Sequence, residues 1–373
     1  MAPSPERSFR FAGVSWSPVG STLDQLDRPL QDLRVSVTDR CNLRCPYCMP
    51  REVFGSAYRF LDRSQLLSFE EIARLARISS TLGVRKVRLT GGEPLLRREL
   101  DTLVAMLVDV EEIDEVALTT NGTALAAHAE RLASAGLDRV TVSLDALDEE
   151  VFRSMSDSRF ALARVLEGID AAQQAGLAPV KVNMVVRRGV NEHCVLEMAE
   201  HFRNTPQILR FIEYMDVGAT NGWRLDDVVP ATEILAQLDG RWPLRRLPGR
   251  RAGEVVARWA YRDGGGEVGV ISSVTEPFCG GCSRARLSAD GRLYTCLFAE
   301  RGHDLLTPLR DGATDTELAA RLREIWGARG DRYSQLRAER ASASKEGAPV
   351  DEASSQSTRP QRARRVEMSY IGG

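Results

Sequence analysis

Residues 39–50, "DRCNLRCPYCMP", place three cysteines within eight residues of a 373-residue chain that contains only seven. These are Cys41, Cys45 and Cys48, in the spacing C-x3-C-x2-C. An odd total does not fit a disulfide framework, so the group indicates metal or redox chemistry. Structural zinc usually takes four ligands in two close pairs. A four-iron cluster also offers four corners to thiolates, so three cysteines would leave one iron open to a substrate. A zinc site remains the alternative.

The composition is typical of a soluble globular protein, with 43% hydrophobic and 27% charged residues. No apolar run approaches the roughly 18 residues of a membrane helix, and the N-terminus lacks the apolar core of a secretory signal. We therefore expect a cytoplasmic protein without a membrane partner. A formal net charge of -2 gives no global electrostatic reason to expect nucleic acid.

Short β-rich runs alternate with helical segments from Leu33 onward. Six strands can be counted, namely "LRVSV", "KVRLT", "EVALTT", "RVTVSL", "VKVNMVV" and "ILRFI". Ser68 and Glu71 fit a capping box at the start of the first helix. Strands that alternate with helices predict βα units and a parallel sheet, open or closed into a barrel. The three cysteines directly follow the first strand, where barrel enzymes build their active sites.

Several of these strands carry polar residues on one face, whereas buried parallel strands usually read as apolar runs. At period two the polar positions are Arg34, Ser36 and Thr38 in the first strand, Lys86, Arg88 and Thr90 in the second, Lys181 and Asn183 in the fifth, and Arg210 in the sixth. A shared cationic face predicts a barrel interior that binds an anion. The alternative is that these side chains sit in solvent at the strand ends.

A second cysteine group lies in "FCGGCSRARLSADGRLYTC". Its members are Cys279, Cys282 and Cys296, in the spacing C-x2-C-x13-C. Zinc with water or histidine as fourth ligand competes here with a second iron–sulfur cluster. Arg284 and Arg286 stand at alternate positions beside the group, and guanidinium groups grip phosphate through paired hydrogen bonds. The remaining cysteine, Cys194, is more typical of a buried structural thiol than of a ligand.

Changes in composition divide the chain into four parts. Residues 1–30 are rich in Pro, Ser and Gly and predict a flexible extension. Residues 31–240 carry the βα pattern, and residues 241–337 carry Gly, Pro and Arg-rich segments with the second cysteine group. Residues 338–373 are dense in Ser, Ala, Glu and Arg, which predicts disorder, and they end in a Gly-Gly tail.

The first cysteine group resembles the signature of the radical S-adenosylmethionine enzymes, and "TGGEP" at residues 90–94 agrees with it. Further motifs, including "TTNG", "KVNMVVRRGVN", "RFIEYMDVG" and "CGGCSRARLSADG", resemble the GTP 3′,8-cyclase family of molybdenum cofactor biosynthesis. This resemblance runs from about residue 32 to residue 309 and resumes in "SYIGG". It implies an α/β fold, an incomplete (βα)6 TIM-like barrel followed by a C-terminal region with a second iron–sulfur cluster.

The resemblance also implies cofactors and site residues. Two [4Fe–4S] clusters would be held by Cys41, Cys45 and Cys48 and by Cys279, Cys282 and Cys296. S-Adenosylmethionine would be contacted by Tyr47, Gly92, Ser143 and Met215. GTP would be contacted by Arg34, Lys86, Arg88, Thr119, Lys181, Arg210, Arg284, Ala285 and Arg286. Gly372 and Gly373 would reach the active site and support catalysis. An ordinary βα turn would equally explain the glycines of "TGGEP", and core packing would explain Met215.

By the same resemblance, GTP becomes (8S)-3′,8-cyclo-7,8-dihydroguanosine 5′-triphosphate. Cyclic pyranopterin monophosphate synthase would act next, a low-potential donor such as flavodoxin would supply electrons, and a homodimer is expected. Two alternatives stay open at this point. One is a radical S-adenosylmethionine enzyme that modifies a peptide or small molecule and uses its second cluster for electron transfer. The other is a non-catalytic zinc protein with nucleic acid as partner.

Overall fold

A computed structural model describes residues 21–250, 253–345 and 365–372. Six parallel strands follow one another in chain order and form the centre of a single sheet. Their bounds are β1 Asp32–Ser36, β2 Lys86–Thr90, β3 Glu115–Thr120, β4 Arg139–Ser143, β5 Lys181–Val186 and β6 Ile208–Glu213. Each strand pairs in parallel with the next. The predicted arrangement of six parallel βα strands is confirmed.

Helices connect these strands and cover their outer side. Their bounds are α1 Phe69–Ser80, α2 Leu100–Val108, α3 Ala129–Ser134, α4 Glu149–Ser156, α5 Leu162–Gln174, α6 Val195–Phe202 and α7 Ala231–Arg241. The predicted capping box opens α1, since Ser68 Oγ accepts from the Glu71 amide at 3.1 Å and a Glu71 carboxylate oxygen accepts from the Ser68 amide at 2.7 Å. Two of the free amides at the helix start are thereby satisfied.

The period-two pattern divides each strand between two environments. Val35, Val87 and Leu89 are fully buried and belong to the apolar core shared with the helices. Burial of such a side chain stabilises the fold by roughly 1.5 to 3 kcal/mol relative to leaving it exposed. Because successive side chains point to opposite faces, the polar residues between them are directed inward.

The C-terminal part of the chain adds strands to both edges of the central six. On one side, β9 (Glu267–Ile271) pairs in parallel with β6 and carries β8 (Ala257–Tyr261) and β7 (Leu244–Leu247). On the other side, β10 (Arg284–Leu287) pairs in parallel with β1 and carries β11 (Arg292–Tyr294) and β12 (His303–Asp304). Within the described residues, β7 and β12 are the two edge strands of the sheet and do not pair with each other.

The remaining helices are α8 Leu306–Arg310, α9 Asp315–Gly327, α10 Tyr333–Lys345 and α11 Met368–Ile371. No helix in the described ranges is long and apolar enough to span a membrane.

Two segments expected to be flexible are partly ordered. Within residues 21–30, Arg28 is 2% exposed, pairs with Asp24 at 2.6 Å, and accepts a hydrogen bond on its carbonyl from the Trp326 indole at 3.0 Å. This buried ion pair and the packing of Leu30 in the core hold the segment in place. Residues 338–345 continue helix α10 instead of forming a disordered stretch. Residues 1–20 and 346–364 lie outside the described residues.

Candidate active site

The inward faces of the strands line one large cavity of about 1770 Å³. The predicted polar positions that border it are Arg34, Lys86, Arg88, Thr90, Lys181, Asn183 and Arg210. Lys86 and Lys181 are only 7% and 6% exposed, so these side chains do not sit in solvent at strand ends. Ser36 and Thr38 are also buried, and the Ser36 hydroxyl donates to the Thr38 carbonyl at 3.2 Å. The prediction of an interior cationic face is confirmed.

Cys41, Cys45 and Cys48 border this cavity from the loop after β1, and none is in a disulfide. The Leu43 amide approaches Cys41 Sγ at 3.4 Å, and Asn121 Nδ2 approaches it at 3.8 Å. Burial raises the pKa of Cys41 to about 11 and raises those of Cys45 and Cys48 as well. These thiols therefore stay protonated in the free protein, and binding of a cationic metal centre would release their protons.

Cys279, Cys282 and Cys296 border the same cavity from the other side and are likewise free of disulfides. Burial opposes ionisation of Cys282, but the charges of Arg284 and Arg329 outweigh it and lower the pKa to about 6. Arg284 Nη2 lies 3.3 Å from Cys282 Sγ. Cys282 is therefore largely a thiolate at neutral pH and ready to bind a metal.

Buried arginines fix the backbone of this second triad. Arg28 Nη1 donates to the Cys279 carbonyl at 2.9 Å, and Arg329 Nη1 donates to the Cys282 carbonyl at 2.7 Å. Sequence reasoning missed both arginines. Arg28 was missed because it lies in a segment that has the composition of a flexible extension.

Each triad offers three thiols to a metal centre. In the part of the chain that the structure describes, no three His, Cys, Asp or Glu side chains are grouped as ligands of one ion. The two triads border the same cavity at different parts of its wall. A four-iron cluster offers its corners to thiolates one at a time, so three thiols are a donor set that fits such a cluster.

Three arginines from neighbouring strands meet at the second triad. The register pairs Arg34 of β1 with Arg286 of β10, and Arg284 lies two residues before Arg286. Burial lowers the pKa of Arg34 well below its ordinary value, and the charges of Arg286 and Arg284 lower it further. Burial, followed by the charge of Arg284, lowers the pKa of Arg286 to about 10. A bound anion would relieve this repulsion.

Lys181 and Arg210 form a second basic site in the cavity wall. Burial, followed by the charge of Arg210, lowers the pKa of Lys181 to about 5. Burial and the charge of Arg88 lower the pKa of Arg210 to about 10. Arg210 Nε and Asn183 Oδ1 are buried without a hydrogen-bond partner in the structure. Unsatisfied buried polar atoms are costly, and a polar ligand bound at this part of the wall would satisfy them.

Glu115, at the start of β3, is an internal counter-ion that sequence reasoning missed. It forms an ion pair with Lys86 and another with Arg139 at 3.0 Å. Burial opposes its ionisation, but the charges of Lys86 and Arg139 prevail and lower its pKa to about 2. Arg88 donates to Thr119 Oγ1 at 3.1 Å and to Thr141 Oγ1 at 3.2 Å. Its partner Thr119 also borders the cavity.

The turn at residues 90–94 packs directly on the cysteine loop. A Cβ on Gly92 would overlap the Arg40 carbonyl, and the Gly92 amide donates to the Thr38 carbonyl at 2.8 Å. Glu93 is fully buried and accepts from the Thr120 hydroxyl and the Asn121 amide, each at 2.7 Å. This close approach requires glycine at position 92, which an ordinary exposed turn would not.

The other residues expected to contact S-adenosylmethionine also border the cavity. Tyr47 donates its hydroxyl proton to Asp145 at 2.7 Å, and burial raises the pKa of Asp145 to about 6. Ser143 ends β4, and Met215 follows β6. Met215 is half-buried and lines the cavity, so it is not a core filler. Asp145 is a residue that the sequence reasoning missed.

The C-terminal tail enters this region from helix α11. Ile371 is fully buried, and the buried Gly372 accepts a hydrogen bond from Arg286 Nη1 through its carbonyl. Gly372 has φ +76°, and a Cβ there would overlap Thr90 Oγ1. Gly372 is thus placed beside two residues that border the cavity. The expectation for Gly373 lies outside the described residues.

Two further sequence-based expectations have a clear structural outcome. Ala285 is 1% exposed and belongs to the apolar core, and it does not border the cavity, whereas its neighbours Arg284 and Arg286 do. Cys194 is 1% exposed in the same core, as predicted for a structural thiol.

Comparisons with known proteins place these features in a family. Residues 35–202 match the radical SAM superfamily, and residues 207–335 match the family described as Molybdenum Cofactor Synthesis C. The chain is 56% identical over 357 residues to the GTP 3′,8-cyclase of Acidothermus cellulolyticus, covering 94% of this chain and 98% of that protein. It is 53% identical over 350 residues to the enzyme of the same name from Xanthomonas axonopodis pv. citri, with the same coverage. The Staphylococcus aureus relative of that name is 42% identical over 351 residues.

A solved structure has the same fold. Streptococcus suis SuiB bound to S-adenosylmethionine superposes with a TM-score of 0.58 at 14% sequence identity, covering 83% of this chain and 68% of that chain. At this identity the likeness concerns the fold alone, and it agrees with an incomplete barrel of the radical S-adenosylmethionine type.

Proposed function

The chain belongs to the GTP 3′,8-cyclase family of radical S-adenosylmethionine enzymes, and on that premise we propose that its cavity holds GTP between the two cysteine triads. The enzyme converts GTP to (8S)-3′,8-cyclo-7,8-dihydroguanosine 5′-triphosphate, the first step of molybdenum cofactor biosynthesis. The observation that carries the binding site is the group of Arg34, Arg284 and Arg286, which border the cavity beside the second triad.

Cys41, Cys45 and Cys48 hold a [4Fe–4S] cluster with S-adenosylmethionine, and Cys279, Cys282 and Cys296 hold a second one. When bound and reduced, the first cluster and its cosubstrate supply a radical that can remove a ribose hydrogen atom. Both assignments are supported by the six free cysteines, which border one cavity as two separate groups of three.

The arginine group binds the negative charge of GTP. Guanidinium groups make paired hydrogen bonds to phosphate, and a triphosphate brings enough negative charge to offset the repulsion among Arg34, Arg284 and Arg286. Lys181 and Arg210 extend the cationic wall, with Lys86, Arg88, Thr119 and the Ala285 backbone as further contacts. The second triad borders the same cavity as this wall, so a second cluster held there would offer its open iron to the guanine base.

Position decides which hydrogen atom is removed. With phosphates and base held at two points, the ribose has little freedom, and its C3′ hydrogen is presented toward the first triad. Tyr47, Gly92, Ser143 and Met215 hold S-adenosylmethionine on that side. Asp145 fixes the Tyr47 ring through the 2.7 Å hydrogen bond to its hydroxyl. The close packing of Gly92 on residues 38–40 fixes the turn that follows β2.

Gly372 and Gly373 support the reaction from the tail. The contact between Arg286 and the Gly372 carbonyl supports this role, because it ties the tail to a residue of the GTP site. A side chain at Gly372 would be displaced by Thr90.

The reaction also needs an electron donor and an enzyme that consumes its product. We propose a low-potential protein such as flavodoxin as electron donor, cyclic pyranopterin monophosphate synthase as the enzyme that consumes the product, and a homodimer as the assembled state. A cytoplasmic location suits the thiolate ligands, because that compartment keeps cysteines reduced.

Anaerobic reconstitution tests the proposal most directly. Iron and sulfide are counted, and the protein is then incubated with GTP, S-adenosylmethionine and a reductant. We expect two four-iron clusters per chain and a product whose mass equals that of GTP and whose formation accompanies 5′-deoxyadenosine. One cluster per chain, or zinc in stoichiometric amount, would overturn the two-cluster site.

A further inference from the structure

Asp216 is a buried carboxylate at the junction of three chain segments. It follows Met215 directly, is 8% exposed, and accepts hydrogen bonds from Tyr333 and Arg337 of helix α10. Arg365 reaches it from the C-terminal tail, with Nη1 at 3.0 Å from Asp216 Oδ2 and 2.8 Å from the Asp216 carbonyl. We call Asp216, Tyr333, Arg337 and Arg365 the Asp216 hub.

The hub also touches the loop of the second cysteine triad. Phe298 stacks on Tyr333 with ring centroids 4.4 Å apart, and the guanidinium groups of Arg337 and Arg365 lie 5.7 and 6.0 Å from the Phe298 ring. The Phe298 amide in turn approaches Cys296 Sγ at 3.5 Å. The hub therefore spans from the loop that carries Met215 to the loop that carries Cys296.

Beyond Arg365, three more residues of the tail contact the barrel, namely Glu367, Ser369 and Gly372. The Glu367 carboxylate accepts from the Ala219 amide at 3.0 Å and from the Thr220 hydroxyl at 3.1 Å. The Ser369 backbone lies close enough to Cys48 to offset part of the rise that burial causes in the pKa of that thiol, and the Gly372 carbonyl accepts from Arg286. Residues 365–372 thus run from the hub across the loop after β6 to the proposed GTP and S-adenosylmethionine sites.

We propose that Asp216 and Arg365 are positioning residues that anchor the C-terminal tail, so that Ser369 and Gly372 are held against the two proposed sites. This inference rests on the proposed function of the tail. Asp216 links helix α10 to the C-terminal tail. Its carboxylate compensates the guanidinium groups of Arg337 and Arg365 and accepts a hydrogen bond from Tyr333. Without its charge, Arg337 and Arg365 would repel each other across the Phe298 ring.

The anchoring is expected to have a measurable size. A hydrogen bond to a charged group contributes enough that its loss shifts an equilibrium roughly tenfold or more. Removing the Arg365 side chain or neutralising Asp216 should raise the ratio of undocked to docked tail by at least that factor. The barrel should keep its stability in Arg365→Ala, because Arg365 is in the tail, whereas Asp216→Asn also removes the charge that pairs with Arg337 of helix α10.

Hydrogen–deuterium exchange of the holoenzyme tests the anchor without an activity measurement. In a peptide covering residues 366–373 we expect exchange at least tenfold faster in Asp216→Asn and Arg365→Ala than in the wild type. Arg365→Lys should lie closer to the wild type. Asp226→Asn is the matched control, since Asp226 is an exposed carboxylate further along the same connection. Wild-type exchange in both Asp216→Asn and Arg365→Ala overturns the anchor.

A second measurement links the anchor to the reaction. Both variants should lower kcat for the cyclised product several-fold with the KM for GTP changed less than twofold. In a chain that ends at Arg365, Asp216→Asn should cause no further loss, because residues 366–373, through which it acts, have been removed. A full additional loss in that background, or unchanged kcat in both single variants, overturns the positioning role. If the wild type makes no cyclised product, the proposed function fails, and the exchange experiment alone decides the anchor.

Discussion

Arg34 in β1 and Arg286 in β10 are register partners in a parallel pair, although one belongs to the first strand of the barrel and the other to the C-terminal region. The pairing builds the proposed phosphate site across the seam between the two parts. It also places Gly372, through its bond to Arg286, at the same seam.

Arg284→Ala and Arg286→Ala should each weaken GTP binding by about 1.5 to 3 kcal/mol, the usual contribution of a hydrogen bond to a charged group. S-Adenosylmethionine binding should stay nearly unchanged, because its proposed contacts lie on other strands. Calorimetric titration of both ligands measures this, with the exposed Arg301→Ala as control. Unchanged GTP affinity in both variants would assign the two arginines a structural role.

Cys279→Ala should lose the second cluster and all cyclised product while the first cluster survives. The reason is that the two triads lie on separate loops at different parts of the cavity wall. Formation of 5′-deoxyadenosine should instead depend on Cys41, Cys45 and Cys48. Iron content and electron paramagnetic resonance of the reduced protein report both clusters, and full turnover by Cys279→Ala would contradict the mechanism. Cys194→Ala, which changes a core thiol, is the matched control.

Lys181 should take up a proton when GTP binds. Burial and the charge of Arg210 lower its pKa from 10.5 to about 5 in the free protein, whereas a nearby triphosphate favours the charged form. GTP affinity should therefore fall as pH rises above about 5, the pKa of Lys181 in the free protein. Calorimetry in Tris and in HEPES at one pH gives the proton count from the difference in heat. The same count for Lys181→Met as for the wild type would refute this linkage.

The same residue predicts how ligand-free stability depends on pH. Its pKa is lowered on folding, so between pH 5 and 10 the unfolded chain binds a proton that the folded protein does not. Stability should therefore rise with pH in this window, by at most about 1.4 kcal/mol per pH unit from this group. Lys181→Met should flatten that slope and stabilise the ligand-free protein at pH 7. Urea unfolding at several pH values checks it, and parallel curves for the two proteins would speak against it.

A chain that ends at Ile371 should form less cyclised product while both clusters and GTP binding survive. Gly372→Ala should have a similar effect, because its φ of +76° is strained for alanine and the added Cβ would overlap Thr90. Product formation is measured beside iron content and GTP affinity. A truncated protein that works at the full-length rate would show that the tail end is dispensable.

The strands and their inward cationic face were predictable from the sequence because alternation at period two is a local property. Arg34, Arg88 and Lys181 each stand between apolar neighbours that are buried in the core. The first cysteine triad was predictable for the same reason, since its spacing lies within one loop, and the second triad spans only the short β10–β11 pair.

Partners distant along the chain could not be predicted in this way. The parallel pairing of β10 with β1 and of β9 with β6 joins segments far apart along the chain. The Glu115 ion pairs, the Tyr47 bond to Asp145 and the Arg28 bond to the Cys279 carbonyl depend on that geometry. The sequence around a buried acidic or basic residue does not indicate which distant residue it pairs with.

The edge pairing of β1 also bears on how the protein folds during synthesis. Ser283, just before β10, donates to Asp32 of β1 at 2.9 Å across 251 residues of chain. At roughly 5 to 20 residues per second, the ribosome needs on the order of ten seconds or more to make that stretch. Until then the outer edge of β1 has no strand beside it, and contacts of such long range form slowly. The first cysteine triad is therefore synthesised well before the strand that closes its side of the barrel, whereas the second triad arrives together with that strand.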